Sequence, residues 1–221
     1  MNDSFLNQEF DAKNVFKLNF PLTWFDVVKA ALNNSEIFSR LFKVQPKWNS
    51  DIGWHSPNTL NDFKLFNDIF VAFDVGEVVR KGLRLDFNLV VYCGFLVVRS
   101  RCDDVNYHTD WVGTGQKAFT LITPLVEEGE DFGLLYKRSD SSIGKYFYKL
   151  GEAIVFSEGF VHSSMPTSSD RRMVLLSYTF GTDDMALWPS LSNTIGYQSN
   201  IIRLPNGDFR IKSLANCSQG N

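Results

Sequence analysis

Phe87-Asn88-Leu89-Val90-Val91-Tyr92-Cys93-Gly94-Phe95-Leu96-Val97-Val98-Arg99 is the stretch on which the fold reading turns. It is rich in β-branched and aromatic residues, and its run of about 12 mostly apolar residues falls short of the ~18 needed to span a membrane as a helix. It reads as a buried strand, with Cys93 as a small core residue. The chain beyond it has the same character. Short β-type segments separated by turn residues recur at 117–125, 133–136, 145–149, 153–156, 161–164 and 172–180. Residues 197–204 and 208–214 close the chain as a hairpin about Asn206-Gly207, a dipeptide suited to the tight turn between antiparallel strands. Many short strands at close spacing indicate a sandwich or barrel, not a parallel sheet with crossover helices.

Before residue 85 the periodicity changes. Residues 21–34 predict a helix: Pro21 suits its first turn, Trp24, Val27, Val28 and Leu32 recur at helical spacing, and Asn33-Asn34 is the expected stop. Residues 35–42 predict a second short helix capped by Ser35. The segment 45–58, with two Trp, two Pro, Gly53 and His55, reads as a loop. Over 59–73, Leu60, Phe63, Phe66, Phe70 and Phe73 fall at three- and four-residue intervals, which favours a helix. The expected architecture is mainly β with N-terminal helices: a helical part, 1–85, packed on an antiparallel jelly roll, 86–221. No linker composition marks the boundary, so 1–221 reads as one domain.

Composition narrows the function classes. A chain of 221 residues with 44% hydrophobic residues and 20 Phe builds a bulky core, which excludes a disordered protein. A net charge of −3 gives no electrostatic reason to expect nucleic acid as a partner. Met1-Asn2-Asp3-Ser4 lacks the basic start and apolar stretch of a secretory signal, so a cytoplasmic protein with no membrane partner is expected. The three cysteines, Cys93, Cys102 and Cys217, are odd in number and not closely paired, which argues against a disulfide framework or a zinc ribbon. Asn33-Asn34-Ser35 and Asn216-Cys217-Ser218 match glycosylation acceptors, but without a secretory signal they carry no weight.

The chain has only three histidines: His55, His108 and His162. His108-Thr109-Asp110 sets an imidazole and a carboxylate two residues apart, which on a strand puts both on one face. Alone the pair is weak, since three His among 25 acidic residues produce such a spacing by chance roughly one time in three. Its context strengthens it. His162 follows the strand-like run Ala153-Ile154-Val155-Phe156, and Arg171-Arg172 come nine and ten positions after it, opening another strand. Two His and one carboxylate on a β-scaffold form a facial triad that suits non-haem Fe(II) and leaves coordination positions open.

As an ordered set, His108-Thr109-Asp110, His162 and the trailing Arg pair resemble the Fe(II)/2-oxoglutarate-dependent dioxygenases, in particular their prolyl-hydroxylase-like and phytanoyl-type branches. Trp111, the run Phe119-Thr120-Leu121-Ile122-Thr123-Pro124-Leu125 and Gly133-Leu134-Leu135 also fit the barrel strands of that family. The likeness covers about residues 87–180. It implies a double-stranded β-helix of cupin-like type, in which His108, Asp110 and His162 hold Fe(II). It further implies that 2-oxoglutarate chelates the metal while its far carboxylate meets an arginine, Arg171 or Arg172, with Arg172 expected. The implied activity is O2-dependent hydroxylation of a small molecule with release of succinate and CO2; halogenating members lack the carboxylate that Asp110 supplies.

The remaining candidates have milder readings. His55 reads as a loop residue, Gly113-Thr114-Gly115 as a flexible connection and not a phosphate loop, and Thr120 equally as a core threonine or a co-substrate contact. Arg99 and Arg101 read as a solvated strand end, with a substrate-anion role as the alternative. Two other function classes fit the same residues: a cupin-type metal enzyme without 2-oxoglutarate, and a non-catalytic jelly-roll ligand-binding module.

Overall fold

The computed structural model describes residues 6–7, 10–32, 35–45, 52–126, 131–168 and 171–212. Its N-terminal half contains β1 (Leu6–Asn7), β2 (Val15–Asn19), α1 (Leu22–Leu32), α2 (Ser35–Arg40), β3 (Phe42–Val44) and β4 (Ile52–Ser56). Then come α3 (Leu60–Ala72), α4 (Val75–Gly82), β5 (Leu89–Arg99), β6 (Ala118–Pro124), β7 (Gly133–Lys137) and β8 (Ile143–Phe147). The last elements are β9 (Glu152–Ser157), β10 (His162–Ser164), β11 (Met173–Thr182), α5 (Trp188–Ile195), β12 (Ile201–Arg203) and β13 (Phe209–Ile211).

Eight strands form one antiparallel sheet in the order β1-β2-β9-β6-β11-β5-β4-β3, and three form a smaller sheet in the order β10-β7-β8. From β6 onward the chain crosses repeatedly between the two sheets, with β7, β8 and β10 in the small one and β6, β9 and β11 in the large one; this is the double-stranded β-helix. An inner core joins them: Ile154, Phe156, Met173 and Leu175 of the large sheet pack with Leu134, Tyr136 and Tyr146 of the small one. The outer face of the large sheet is covered by helices. Phe63, Phe66 and Phe70 of α3 and Val75 and Val79 of α4 bury against Val91, Leu96, Val174, Leu176, Tyr178 and Phe180.

All ten residues of β11 are buried, because the strand is sandwiched between the barrel interior and the helices. Its even-numbered residues face the helices and Met173 and Leu175 the interior. The Tyr178 hydroxyl donates to the Phe66 carbonyl at 2.8 Å and ties α3 to the sheet. Gly94 makes this approach possible, since a Cβ there would meet Tyr178 Cε1 at 2.6 Å and Phe66 Cβ at 2.8 Å. α3 begins where the phenylalanine spacing indicates. Thr59 and Asp62 form a capping box, with the Thr59 amide donating to Asp62 Oδ2 at 2.9 Å and the Asp62 amide to Thr59 Oγ1 at 3.2 Å.

The structure departs from the sequence reading in several places, among them strand β3, which begins at Phe42 inside the helix read over 35–42, and helix α4 over Val75–Gly82. Ile52–Ser56 is not a loop but strand β4, paired antiparallel with β5 from Ile52↔Arg99 to His55↔Leu96. Its Gly and Trp residues weaken the local signal, and the pairing comes from the neighbouring strand. Val15–Asn19, within the supposedly helical third, is a strand paired with β9. Helix α5 was not anticipated. The closing hairpin forms, though shorter than its sequence suggests, and Gly207 takes φ +91° in its turn. The expected helix stop at Asn33-Asn34, the acceptor Asn216 and Cys217 lie outside the described residues. No described helix is long and apolar enough to cross a membrane.

Candidate metal centre

His108 follows an irregular segment after β5, and a single antiparallel bridge fastens it to the first residue of β10. The His108 amide donates to the His162 carbonyl at 2.9 Å, and the reverse bond has the same length. That bridge sets the two imidazoles side by side, with ring centroids 4.6 Å apart. Asp110, two residues on, places Oδ1 3.4 Å from His108 Nε2 and 3.7 Å from His162 Nε2. The three residues thus offer donor atoms that all lie within 4.8 Å of one another, the one group of this kind among the described residues.

Neighbouring groups orient each donor. The Nδ1 of His108 lies 2.9 Å from the Asn106 carbonyl and that of His162 lies 3.2 Å from the Phe160 carbonyl. With a metal bound, a proton held on each Nδ1 would leave both Nε2 lone pairs free as ligands beside Asp110 Oδ1. The Asp110 carboxylate is divided between two duties. Its Oδ1 faces the histidines, while its Oδ2 accepts from Thr120 Oγ1 at 2.8 Å. Thr120 in turn accepts from the Trp111 indole N–H at 3.1 Å, so the only proton of its hydroxyl is directed to Asp110. Thr194 of α5 donates from its hydroxyl to the Asp110 carbonyl.

Electrostatics follow from this crowding. Burial pushes the Asp110 carboxyl pKa up, but the hydrogen bond from His108 and the charges of the two imidazoles outweigh it and hold the group below its usual range. The hydrogen bond to Asp110 raises His108, whereas burial lowers His162. The loop after Asp110 is also pinned by charge. Glu158 accepts from the Gly113 and Thr114 amides at 2.6 and 3.0 Å, and from Gln116 at 3.4 Å. The nest that resembled half a phosphate loop is therefore filled by the protein's own carboxylate.

The cluster lines a cavity of about 480 Å³ whose walls also include Arg99, Ile122, Tyr148, Leu175 and Ser177. Arg99 stands between β4 and β11, opposite Ile52 on one side and Met173 on the other. It is 2% exposed. Its Nη2 donates to the Met165 carbonyl at 2.8 Å and its guanidinium lies 5.5 Å from the Phe132 ring centre. Nε and Nη1 are buried with no hydrogen-bond partner, and among the described residues no carboxylate pairs with the group.

Arg171 and Arg172 lie elsewhere. Both are exposed, neither lines the cavity, and Arg172 sits over the Phe38 ring at 5.2 Å. Arg172, the arginine expected to meet the co-substrate, is in step with Val174, Leu176 and Tyr178, and that face of β11 is the helix-covered one. Leu175 and Ser177 are the β11 residues that reach the cavity. Arg99 was legible only through its phase, in step with Phe95 and Val97, which also line the cavity. His55 points away from the cavity against Phe38, with ring centroids 5.0 Å apart, while its neighbour Trp54 points in. Arg101 is exposed and paired with Asp103 at 2.8 Å.

No protein-family model matches the chain, and no curated protein matches it in sequence. The fold does match solved structures. An oxidoreductase of the 2OG-Fe(II) oxygenase family from Burkholderia pseudomallei shares 10% identity at a TM-score of 0.60, covering 76% of this chain and 84% of that one. SnoK, a non-heme alpha ketoglutarate dependent carbocyclase from nogalamycin biosynthesis, shares 11% identity at a TM-score of 0.64, covering 83% and 87%. HygX from Streptomyces hygroscopicus, solved with nickel and 2-oxoglutarate bound, shares 13% identity at a TM-score of 0.54, covering 78% and 84%. The chain has the fold of the 2OG-Fe(II) oxygenase structures.

Proposed function

We propose that the chain is an Fe(II)- and 2-oxoglutarate-dependent oxygenase that hydroxylates a C–H bond of a small molecule, using O2 and releasing succinate and CO2. One observation carries the reading: a buried guanidinium without a counter-ion shares a cavity with a His-Asp-His cluster. A buried charge is costly unless it is paired, and an arginine fork matches a carboxylate bidentately. Arg99, in place of the expected Arg172, is therefore assigned the far carboxylate of 2-oxoglutarate. The donor set fits the metal equally well, since two neutral imidazoles and one carboxylate on a single face suit Fe(II) and leave positions open. A cupin-type enzyme without 2-oxoglutarate, or a plain binding module, gives the Arg99 cation no role.

Bound together, iron and 2-oxoglutarate would activate O2, the oxidant, for attack on an unactivated C–H bond. The chain's residues supply the rest. His108, Asp110 and His162 hold the metal; Ile122, Leu134 and Leu175 give that end of the cavity apolar walls. SnoK is named a carbocyclase, and hydroxylation is separated from such outcomes by identifying the product. The reading is tested by anaerobic addition of Fe(II) and 2-oxoglutarate, which should produce a visible metal-to-ligand charge-transfer band. Admitting O2 should then release succinate. Absence of both would overturn it.

Two expected results follow from the geometry. Thr120→Val should weaken Mn(II) binding by about 10- to 100-fold, as loss of a hydrogen bond to a metal ligand typically does, while Thr120→Ser keeps it near wild type. Equal affinity of all three proteins in an EPR titration would refute an orienting role. His55→Ala should leave Mn(II) affinity within about twofold, because His55 faces Phe38 and not the cavity. Loss of bound metal in that variant would instead favour a third histidine ligand.

A further inference from the structure

Another part of the cavity lining has a different character. It opens beside β4 and the segment that follows α5, where Trp54, Val112, Asn193, Tyr197 and Gln198 contribute. The Trp54 and Tyr197 rings have centroids 5.8 Å apart at 38°, and Phe95 continues the aromatic wall at 6.1 Å from Trp54. Tyr197 remains 53% exposed. Its phenol is raised by burial and by the charge of Asp110, so this wall stands within electrostatic reach of the metal ligands. Gln198 is 6% exposed, and its side-chain carbonyl oxygen has no donor among the described residues. Apart from the two imidazoles, Arg99 and Asp110 carry the only charges among the described residues of the lining.

We propose that the substrate is a neutral molecule that lays a flat apolar ring face against Trp54 and Tyr197 and offers an O–H or N–H donor to Gln198. The inference rests on the oxygenase reading, because occupation of Arg99 by 2-oxoglutarate and of Asp110 by the cation leaves the rest of the cavity without charge. A charged substrate entering it gives up water and meets no counter-ion. Rigid aromatic side chains offer a ring large contact area for little loss of freedom. The unsatisfied acceptor on Gln198 selects among neutral rings for one that brings a donor.

The test uses three probes of one shape: 2-naphthol (neutral), 2-naphthoate (anion) and 2-naphthylmethylammonium (cation). Each is titrated anaerobically into full-length protein loaded with Mn(II) and 2-oxoglutarate, and binding is followed by ligand-observed NMR. Broadening of probe signals by Mn(II) reports nearness to the metal. The neutral probe should bind at least tenfold more tightly than either charged one and broaden strongly. Tyr197→Ala, an exposed position that leaves the core intact, should weaken it tenfold or more. Gln198→Met should weaken 2-naphthol but not naphthalene. A charged probe that binds as tightly as 2-naphthol, or affinity unchanged in Tyr197→Ala, overturns the proposal. Failure of the wild-type protein to take up Mn(II) and 2-oxoglutarate is a distinct result, which removes the oxygenase reading and this inference with it.

Discussion

Arg99→Met is expected to weaken 2-oxoglutarate binding by roughly 30-fold or more while leaving the metal-free protein at least as stable as the wild type. The two halves of that result have one cause. The guanidinium is buried and satisfied at only one nitrogen, by the Met165 carbonyl, so the empty protein bears the cost of an uncompensated charge. An apolar side chain of similar length removes the cost. It also removes a desolvated, bidentate partner for a carboxylate, which should cost on the order of 2–5 kcal/mol, or roughly 30- to several-thousand-fold in affinity. Ligand-induced stabilisation gives a second readout. At 2-oxoglutarate a hundredfold above its dissociation constant, the wild type should gain about 2.7 kcal/mol, or roughly 5–10 °C in Tm for a chain of this size. The variant should gain less than about 1 kcal/mol. Arg172→Ala, at an exposed residue stacked on Phe38, should change affinity by less than about tenfold. Calorimetry on both variants decides the assignment, and a large loss confined to Arg172→Ala would reverse it.

Asp110→Ala should lower Mn(II) affinity by at least about 100-fold, more than loss of a surrounding hydrogen bond, because it deletes a ligand and the only anion in the cluster. The fold should survive. The His108–His162 backbone bridge and the Thr194 hydrogen bond to the backbone of residue 110 do not use the carboxylate. The Thr120 hydroxyl keeps its indole donor and loses only the acceptor of its proton. The metal-free melting temperature should therefore shift little, while the rise on adding Mn(II) disappears. Metal-dependent stabilisation equal to that of the wild type would show that the ion is held elsewhere.

The two ends of the site differ in how far they can be read from the chain. His108, Asp110 and His162 are legible because the chemistry demands particular residue types. Three histidines and one His-x-Asp leave few alternatives, although residues 108–110 do not form the strand that the spacing suggests, and the bridge from His108 to His162 is what sets the side chains together. The arginine is another matter. β11 is buried on both faces, so its ten residues show no alternation from which the cavity side can be told. A positive residue after the distal histidine is thus visible, yet its direction is not. Arg99 ends a strand that is equally apolar, where a terminal charge reads as a solvated end; only pairing with β4 and β11 on both sides buries it.

By itself the sequence determined the class of architecture, the helix read over residues 59–73, the hairpin about Asn206-Gly207 and the three metal-ligand candidates. Each depends on local periodicity, turn chemistry or residue type, which neighbours along the chain suffice to specify. Tertiary structure alone decided that Ile52–Ser56 is a strand, that Trp54 and not His55 faces the cavity, and that Tyr197 and Gln198 line it. It also decided which guanidinium is left buried and unpaired. These are matters of which strand lies beside which, and residues more than forty positions apart set them through register and burial.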